Sequence, residues 1–253
     1  MTHPKGTATR PRVPAPGARR PSPPTAVPLL RRPGVRPALA GLAVALVVFG
    51  AGMLVYPLAT DIYTNRAQGR LRREFATRLA QTPALAPAPA VSDGQGLALI
   101  KIPRLGVDSV VVEGTDPRAL RNGPGHYAGS PQPCGRGNAA IAGHRTTYGQ
   151  PFNGLDELVA GDRIVVVMPH QRCTYEVVTG PAGAATPRPG SASWVTSATD
   201  WSVVGALPGS LPRSLSGSLS GSLSGSFLTL TTCHPKTSAA LRLIVRARLV
   251  SLS

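Results

Sequence analysis

From Ala38 to Ala59 the chain runs for 22 residues without a charged side chain. As a helix, that length spans the roughly 30 Å hydrocarbon core of a bilayer. Gly50, Gly52 and Pro57 interrupt it. These residues would weaken a helix in water but are tolerated in lipid, where neighbouring groups re-satisfy the backbone. A cleaved signal peptide has a shorter apolar region, closer to the N-terminus than one that begins after 37 residues. The segment reads as one membrane anchor, and it divides the chain into a tail before it and a folded region after it.

The tail accounts for much of the charge. Residues 1–36 hold eight Lys or Arg and no acid, so half of the formal net charge of +16 lies in this Pro-rich stretch. With so little apolar surface to offset the entropy of ordering, it is expected to be disordered. Residues 97–253 carry 14 Lys or Arg against 8 acids, an ordinary balance. Aromatic residues make up only 4% of the chain, which leaves few platforms on which bases could stack. Nucleic acid is therefore not an expected partner. Arg31, Arg32 and Arg36 precede the apolar span, and Arg66, Arg70, Arg72, Arg73 and Arg78 follow it. Local charge thus leans only weakly towards a cytoplasmic N-terminus.

Four regions follow: a tail over 1–37, a transmembrane helix over 38–59, a juxtamembrane helix and linker over 60–96, and a domain over 97–253. Residues 61–81 form a basic, partly amphipathic pattern with Leu71, Phe75 and Leu79 spaced by four. This helix is expected to be a stalk resting on anionic headgroups. The stretch TPALAPAPAVSDGQG then has the composition of a semi-extended linker.

Beyond it the pattern is all-β. Apolar runs separated by Pro, Gly and Asp predict eight strands, at 97–102, 108–113, 138–144, 163–168, 173–179, 202–207, 227–233 and 242–250. Two short helical turns are expected, at DPRALR and at FNGLDEL. Such a series argues for one barrel or sandwich core. The low-complexity run SLSGSLSGSLSGS, at 214–226, reads as a repeat tolerated in a surface loop.

Cys233 closes the run LTLTTC. It is a candidate nucleophile, disulfide partner, metal ligand with His234, or buried small hydrophobe. In a strand over 227–233, Leu228, Leu230 and Thr232 share one face, and Thr229, Thr231 and Cys233 share the other. The segment HPKTSAAL then turns the chain into RLIVRARLV, a hairpin that makes Arg242 a neighbour of Cys233. A guanidinium there lowers a thiol's pKa and stabilises a developing oxyanion. A thiol nucleophile also needs an acid–base partner. Of the five histidines, His3 is in the tail, His170 lies in a polar turn, His234 points away from its neighbour, and His126 reads as structural. His144 stands at a strand end, as Cys233 does. Cys134 and Cys173 remain as a pair. They would be able to form a disulfide outside the cell, although two free thiols is the favoured reading.

Three segments together resemble the sortase family, and its class E in particular: TLTTC with Arg242 nine residues on, GHRTTYGQPF at 143–152, and IKIPRLGVDSVVVEGT at 100–115. The resemblance implies an eight-stranded β-barrel with short helices behind an N-terminal anchor, and a cysteine transpeptidase activity without metal or cofactor. Cys233 would attack a threonine carbonyl in an LPxTG- or LAxTG-like sorting signal, His144 would move protons, and Arg242 would steady the oxyanion. Thr232, Thr146 and Tyr148 would contact substrate. The implied partners are the sorting-signal peptide of secreted surface proteins, an amine acceptor of a cell-wall precursor, and the lipid bilayer. The domain would lie outside the cell with the N-terminus in the cytoplasm. An exported cysteine protease and a non-catalytic, wall-binding barrel are the alternatives.

Overall fold

The computed structural model describes residues 35–81, 91–205, 225–236 and 238–253. The chain divides into two compact units, Met1–Gly50 and Ala51–Ser253. Helix α1 (Val35–Gln81) contains one stretch long and apolar enough to cross a membrane. Between Leu39 and Leu58 its large apolar side chains are exposed, Leu54 by 76%. An apolar surface of that extent marks a membrane or partner contact.

Nine strands follow: β1 (Gly96–Ile102), β2 (Val107–Glu113), β3 (Gly125–His126), β4 (Gly137–Ala142), β5 (Arg163–Met168), β6 (Gln171–Val178), β7 (Trp194–Ser197), β8 (Ser226–His234) and β9 (Leu241–Leu252). Eight of them close a barrel in the order β6-β5-β1-β2-β3-β4-β8-β9, with the C-terminal half of β9 returning to β6, and β7 pairs with the N-terminal half of β9. Helix α2 (Pro117–Asn122) lies between β2 and β3, with Asp116 capping its first turn through Arg118 and Ala119 N–H. Alternating side chains from every long strand fill the interior, Ile100, Ile164, Tyr175, Leu228 and Val245 among them.

The number of barrel strands agrees with the sequence pattern, but the membership differs. Residues 202–205, the described part of the strand expected over 202–207, are not a strand. Trp201–Val203 is a 3-10 turn whose start is capped by the Asp200 carboxylate, which accepts Ser202 N–H, and residues 206–207 lie outside the described part of the chain. The missing member is the two-residue β3, too short for any periodicity to reveal. The SLSG repeat also lies outside the described residues, apart from its last two, Gly225 and Ser226.

The part of α1 over 61–81 is not the separate stalk that its composition suggests. Leu71 is buried with Val110, Val112 and Ala119 on the outer face of β2. Because β3 covers only the end of β2, the backbone of Val110 has no strand partner on that side. Gln68 takes the place of one: its Oε1 accepts Val110 N–H at 2.7 Å, and its Nε2 donates to Val110 O at 3.0 Å and Asn122 O at 2.8 Å. A side-chain amide thus covers a sheet edge that would otherwise be open to another chain. Arg72 adds an ion pair to Asp108 at 2.9 Å.

Cys134 and Cys173 are joined in a disulfide across 39 residues, with Cα atoms 5.6 Å apart. This replaces the two free thiols favoured by the sequence. The bridge is buried, and Cys134 N–H donates to the hydroxyl of Tyr175 at 2.7 Å. Burial pushes that phenol up to about 12, so it stays protonated at neutral pH.

Candidate active site

Two strands with different partners end side by side. β4 and β8 run parallel, paired from Gly137↔Ser226 to Ala142↔Thr231. Gly143 N–H continues the ladder to Thr231 O at 3.0 Å, and the Thr232 hydroxyl donates to Gly143 O at 2.7 Å. His144 and Cys233 each stand two residues beyond the last pair on these neighbouring strands, so the parallel register brings both to the same end of the ladder. Gly143 leaves room for the Phe152 ring, which a Cβ there would meet at 2.5 Å.

On its other side β8 pairs antiparallel with β9, and Cys233 faces Arg242. Arg242 Nη1 lies 3.9 Å from the sulfur and donates to the carbonyls of Ala239 at 2.9 Å and Leu241 at 3.1 Å. The hairpin backbone therefore holds the guanidinium over the thiol. Cys233 is the one free cysteine among the described residues and is half-buried. Leu228 and Leu230 face the core, while Thr229 and Thr231 share the face of Cys233, as alternation requires.

That second face is not open. Thr229 hydrogen-bonds Asn138, whose amide donates to Val203 O and Gly205 O. Thr231 shares a hydrogen bond with the Tyr127 hydroxyl, and the Trp201 ring meets Tyr127 edge-on at 6.5 Å. Sequence patterning missed Tyr127 and Trp201, because they reach this face through loops.

The imidazole of His144 is half-buried, and burial holds its pKa below the usual histidine value, with the Arg121 charge adding to the effect. Tyr148 lays its ring against it, with centroids 5.0 Å apart and planes tilted by 36°. Thr146 is exposed at the start of this loop. Thr232 differs from the expected substrate contact in one respect: its side chain is buried and its hydroxyl is spent on Gly143.

Arg145 was not singled out by the sequence, yet it ties both strand ends together. Its side chain is only 3% exposed. Nη1 donates to Cys233 O at 3.3 Å and to His234 Nδ1 at 2.8 Å, while Nη2 pairs with Asp156 at 2.9 Å. The acceptor role fixes His234 with its proton on Nε2. Burial first, then the Arg145 charge, lower the His234 pKa. With Nδ1 taken, His234 is poorly placed to share a metal with Cys233, and among the described residues no group of three or more His, Cys, Asp or Glu is arranged to hold one.

His126 is buried in a partnership of its own. Its Nδ1 faces the Glu113 carboxylate at 3.0 Å and its Nε2 faces Pro131 O at 3.0 Å. It sits in β3 rather than in the loop that the sequence suggested, and both of its ring nitrogens have partners.

A family model for the sortase domain matches residues 100–250. Among curated proteins the chain is similar to Sortase SrtE1 of Streptomyces coelicolor, 29% identical over 193 residues, covering 74% of this chain and 47% of that protein. The chain thus spans about half the length of this curated relative. It is also similar to the solved structure of sortase E from Streptomyces avermitilis, at 36% identity and a TM-score of 0.50 over 64% of this chain and 92% of that one. Sortase E1 from Streptomyces coelicolor, solved with a tripeptide in the active site, matches at 31% identity and a TM-score of 0.50, covering 64% of this chain and 93% of that one.

Proposed function

This chain belongs to the sortase family, with class E members among its relatives, and from that premise we propose that it is a membrane-anchored cysteine transpeptidase acting on LPxTG- or LAxTG-like sorting signals. The observation that supports the reading most is the Arg242 Nη1 3.9 Å from the Cys233 sulfur, with His144 two residues past the end of the strand paired parallel to β8.

In the reaction, Cys233 Sγ bonds to the carbonyl carbon of the signal's threonine as its proton passes to His144. The oxyanion that forms is stabilised by the Arg242 guanidinium. Collapse breaks the threonine–glycine amide bond, and His144 returns the proton to the leaving glycine amine. A thioester to Cys233 remains. An amine of a cell-wall precursor attacks it, His144 accepts the amine proton, and the thiol is restored as the new amide leaves. The tripeptide in the relative's active site supports a peptide substrate for this chain.

Two features support a location. The apolar part of α1 is long enough to cross a bilayer, and the Cys134–Cys173 disulfide belongs in an oxidising compartment. Together they support an N-terminus in the cytoplasm and a domain over 97–253 outside the cell membrane. The residues over 38–59 would span the bilayer, those over 60–96 would connect it to the barrel, and the tail over 1–37 would stay inside.

The test is turnover by the full chain in detergent micelles, with labelled LAxTG and LPxTG peptides and an amine acceptor. A new amide product that disappears in Cys233→Ala supports transpeptidation. Hydrolysis alone, with the acceptor ignored, would make it a protease instead, and no turnover of either peptide would leave a non-catalytic barrel.

A further inference from the structure

The loop that carries Tyr148 to His144 has an unusual backbone. Tyr148, Gly149 and Gln150 are consecutive left-handed residues, with φ of 52°, 73° and 47°. Two of the three carry a Cβ, and each such residue costs on the order of 1 kcal/mol or more in this region. A conformation of that kind persists only when its surroundings hold it. Part of the hold is local: Gln150 N–H donates to Thr147 O at 3.1 Å, and Asn153 Nδ2 donates to Gln150 Oε1 at 2.8 Å.

The rest comes from α1, 88 residues earlier in the chain. Gly149 N–H donates to the Asp61 carboxylate at 2.8 Å. Tyr148 N–H reaches the Thr60 hydroxyl at 3.4 Å, and the Tyr63 ring meets the Tyr148 ring edge-on at 6.5 Å. These contacts lie just after the apolar stretch of the helix, before Gln68 and Arg72, which fasten it to β2. Beside the loop is a cavity of about 250 Å³, walled by Thr64, Gln68, Arg72 and Asp108 as well as by Tyr148 and Gly149. A released loop has space there to relax.

We propose that Asp61 is a positioning residue for His144. Its carboxylate fastens the left-handed turn at Gly149, the turn sets the Tyr148 ring against the imidazole, and the ring fixes the angle at which His144 meets Cys233. The helix that leaves the apolar segment is then part of the catalytic apparatus as well as a tether. The proposal rests on the reading of His144 as the acid–base group.

Two measurements on the full chain in detergent micelles test it. The first is hydrogen exchange over 144–152, which reads the loop whether or not the protein turns over a peptide. Asp61→Ala speeds exchange there, and Asp61→Asn, which keeps a side-chain oxygen acceptor, restores much of the protection. Unchanged exchange in Asp61→Ala overturns the proposal.

The second measurement is steady-state transpeptidation. Because a small misplacement of a reacting group costs rate more than binding, Asp61→Ala lowers kcat about tenfold and leaves KM within about twofold. Asp61→Asn recovers to within about threefold of the parent. Arg72→Ala, which loosens the helix elsewhere, keeps the parent kcat. Tyr148→Ala lowers kcat alike, and adding Asp61→Ala to it changes little further, since both act through one ring. Full additivity, an equal loss in Arg72→Ala, or an unchanged kcat in Asp61→Ala overturns the proposal. If Cys233→Ala instead keeps full turnover, the nucleophile reading fails, and the catalytic role given to Asp61 falls with it.

Discussion

The proposed nucleophile and the proposed acid–base group are held by different structural means. Cys233 lies within a ladder that pairs β8 to β9 from Phe227↔Arg248 to His234↔Leu241, so neighbouring backbone fixes it. His144 lies just past the end of β4, where the ladder has stopped and the chain enters a left-handed loop. Side chains from elsewhere take over: Arg145 grips Cys233 O and Asp156, and Asp61 grips Gly149. The arm of the proposed nucleophile is held by local pairing, and that of the proposed acid–base group by long-range contacts. Damage to the two arms should therefore look different.

The largest effect on stability is expected where the acid–base arm is cut. Arg145→Ala strands the Asp156 carboxylate and releases Cys233 O and His234 together. Removing one partner of a buried pair costs about 3–5 kcal/mol, measurable by urea unfolding. The variant also loses turnover, since both strand ends are freed. A mild loss of stability would mean that the ladders alone hold His144.

The disulfide is a contrasting control, as it bridges into β6 and touches neither arm. Replacing both Cys134 and Cys173 by Ala costs about 2–4 kcal/mol through the unfolded chain. At temperatures well below unfolding, kcat should be unchanged. A fall in kcat there would show that the site depends on the whole barrel wall.

On the thiol arm, Arg242→Ala should lower kcat by on the order of 10²-fold, the usual loss of an oxyanion-stabilising group. Its effect on unfolding should be small, because the hairpin ladder remains. That separation of rate from stability is the reverse of what Arg145→Ala should show.

The smallest effect is a shift in pH dependence. The Arg121 charge disfavours the imidazolium of His144, so Arg121→Gln moves the His144 limb of the kcat/KM profile to higher pH. Burial is the larger cause of the depressed pKa and is untouched, so the shift is partial. The same depressed pKa implies a stability trend. The unfolded chain binds the proton more readily, so this contribution is present above the ordinary histidine value and is lost as pH falls towards the folded one.

How much of this was legible in the sequence divides along the same line. The face assignments in β8 and the Cys233–Arg242 pairing follow from alternation and one hairpin, and the structure shows both. They are local rules. Gln68 on Val110 joins residues 42 apart, and Arg145 on His234 joins residues 89 apart. No periodicity encodes such pairs, because a side chain that replaces a strand or cross-links two strand ends leaves no pattern around it. FNGLDEL showed a turn, but not that its Asp156 completes the Arg145 clamp. SVVGAL looked like a strand because its apolar run was intact, whereas the Asp200 cap just before it sets a 3-10 turn. Leu71 and Phe75 signalled an amphipathic helix but not that its buried face meets β2.

The most direct test of the account is the intact mass of the full chain after brief mixing with an LAxTG or LPxTG peptide, without an amine acceptor. The account predicts a thioester adduct of the peptide up to its threonine on Cys233, cleared when an amine is added, with no adduct in Cys233→Ala and slow formation in His144→Ala. Cleavage of the peptide with no adduct on Cys233, or an adduct that forms equally well without that thiol, would contradict it.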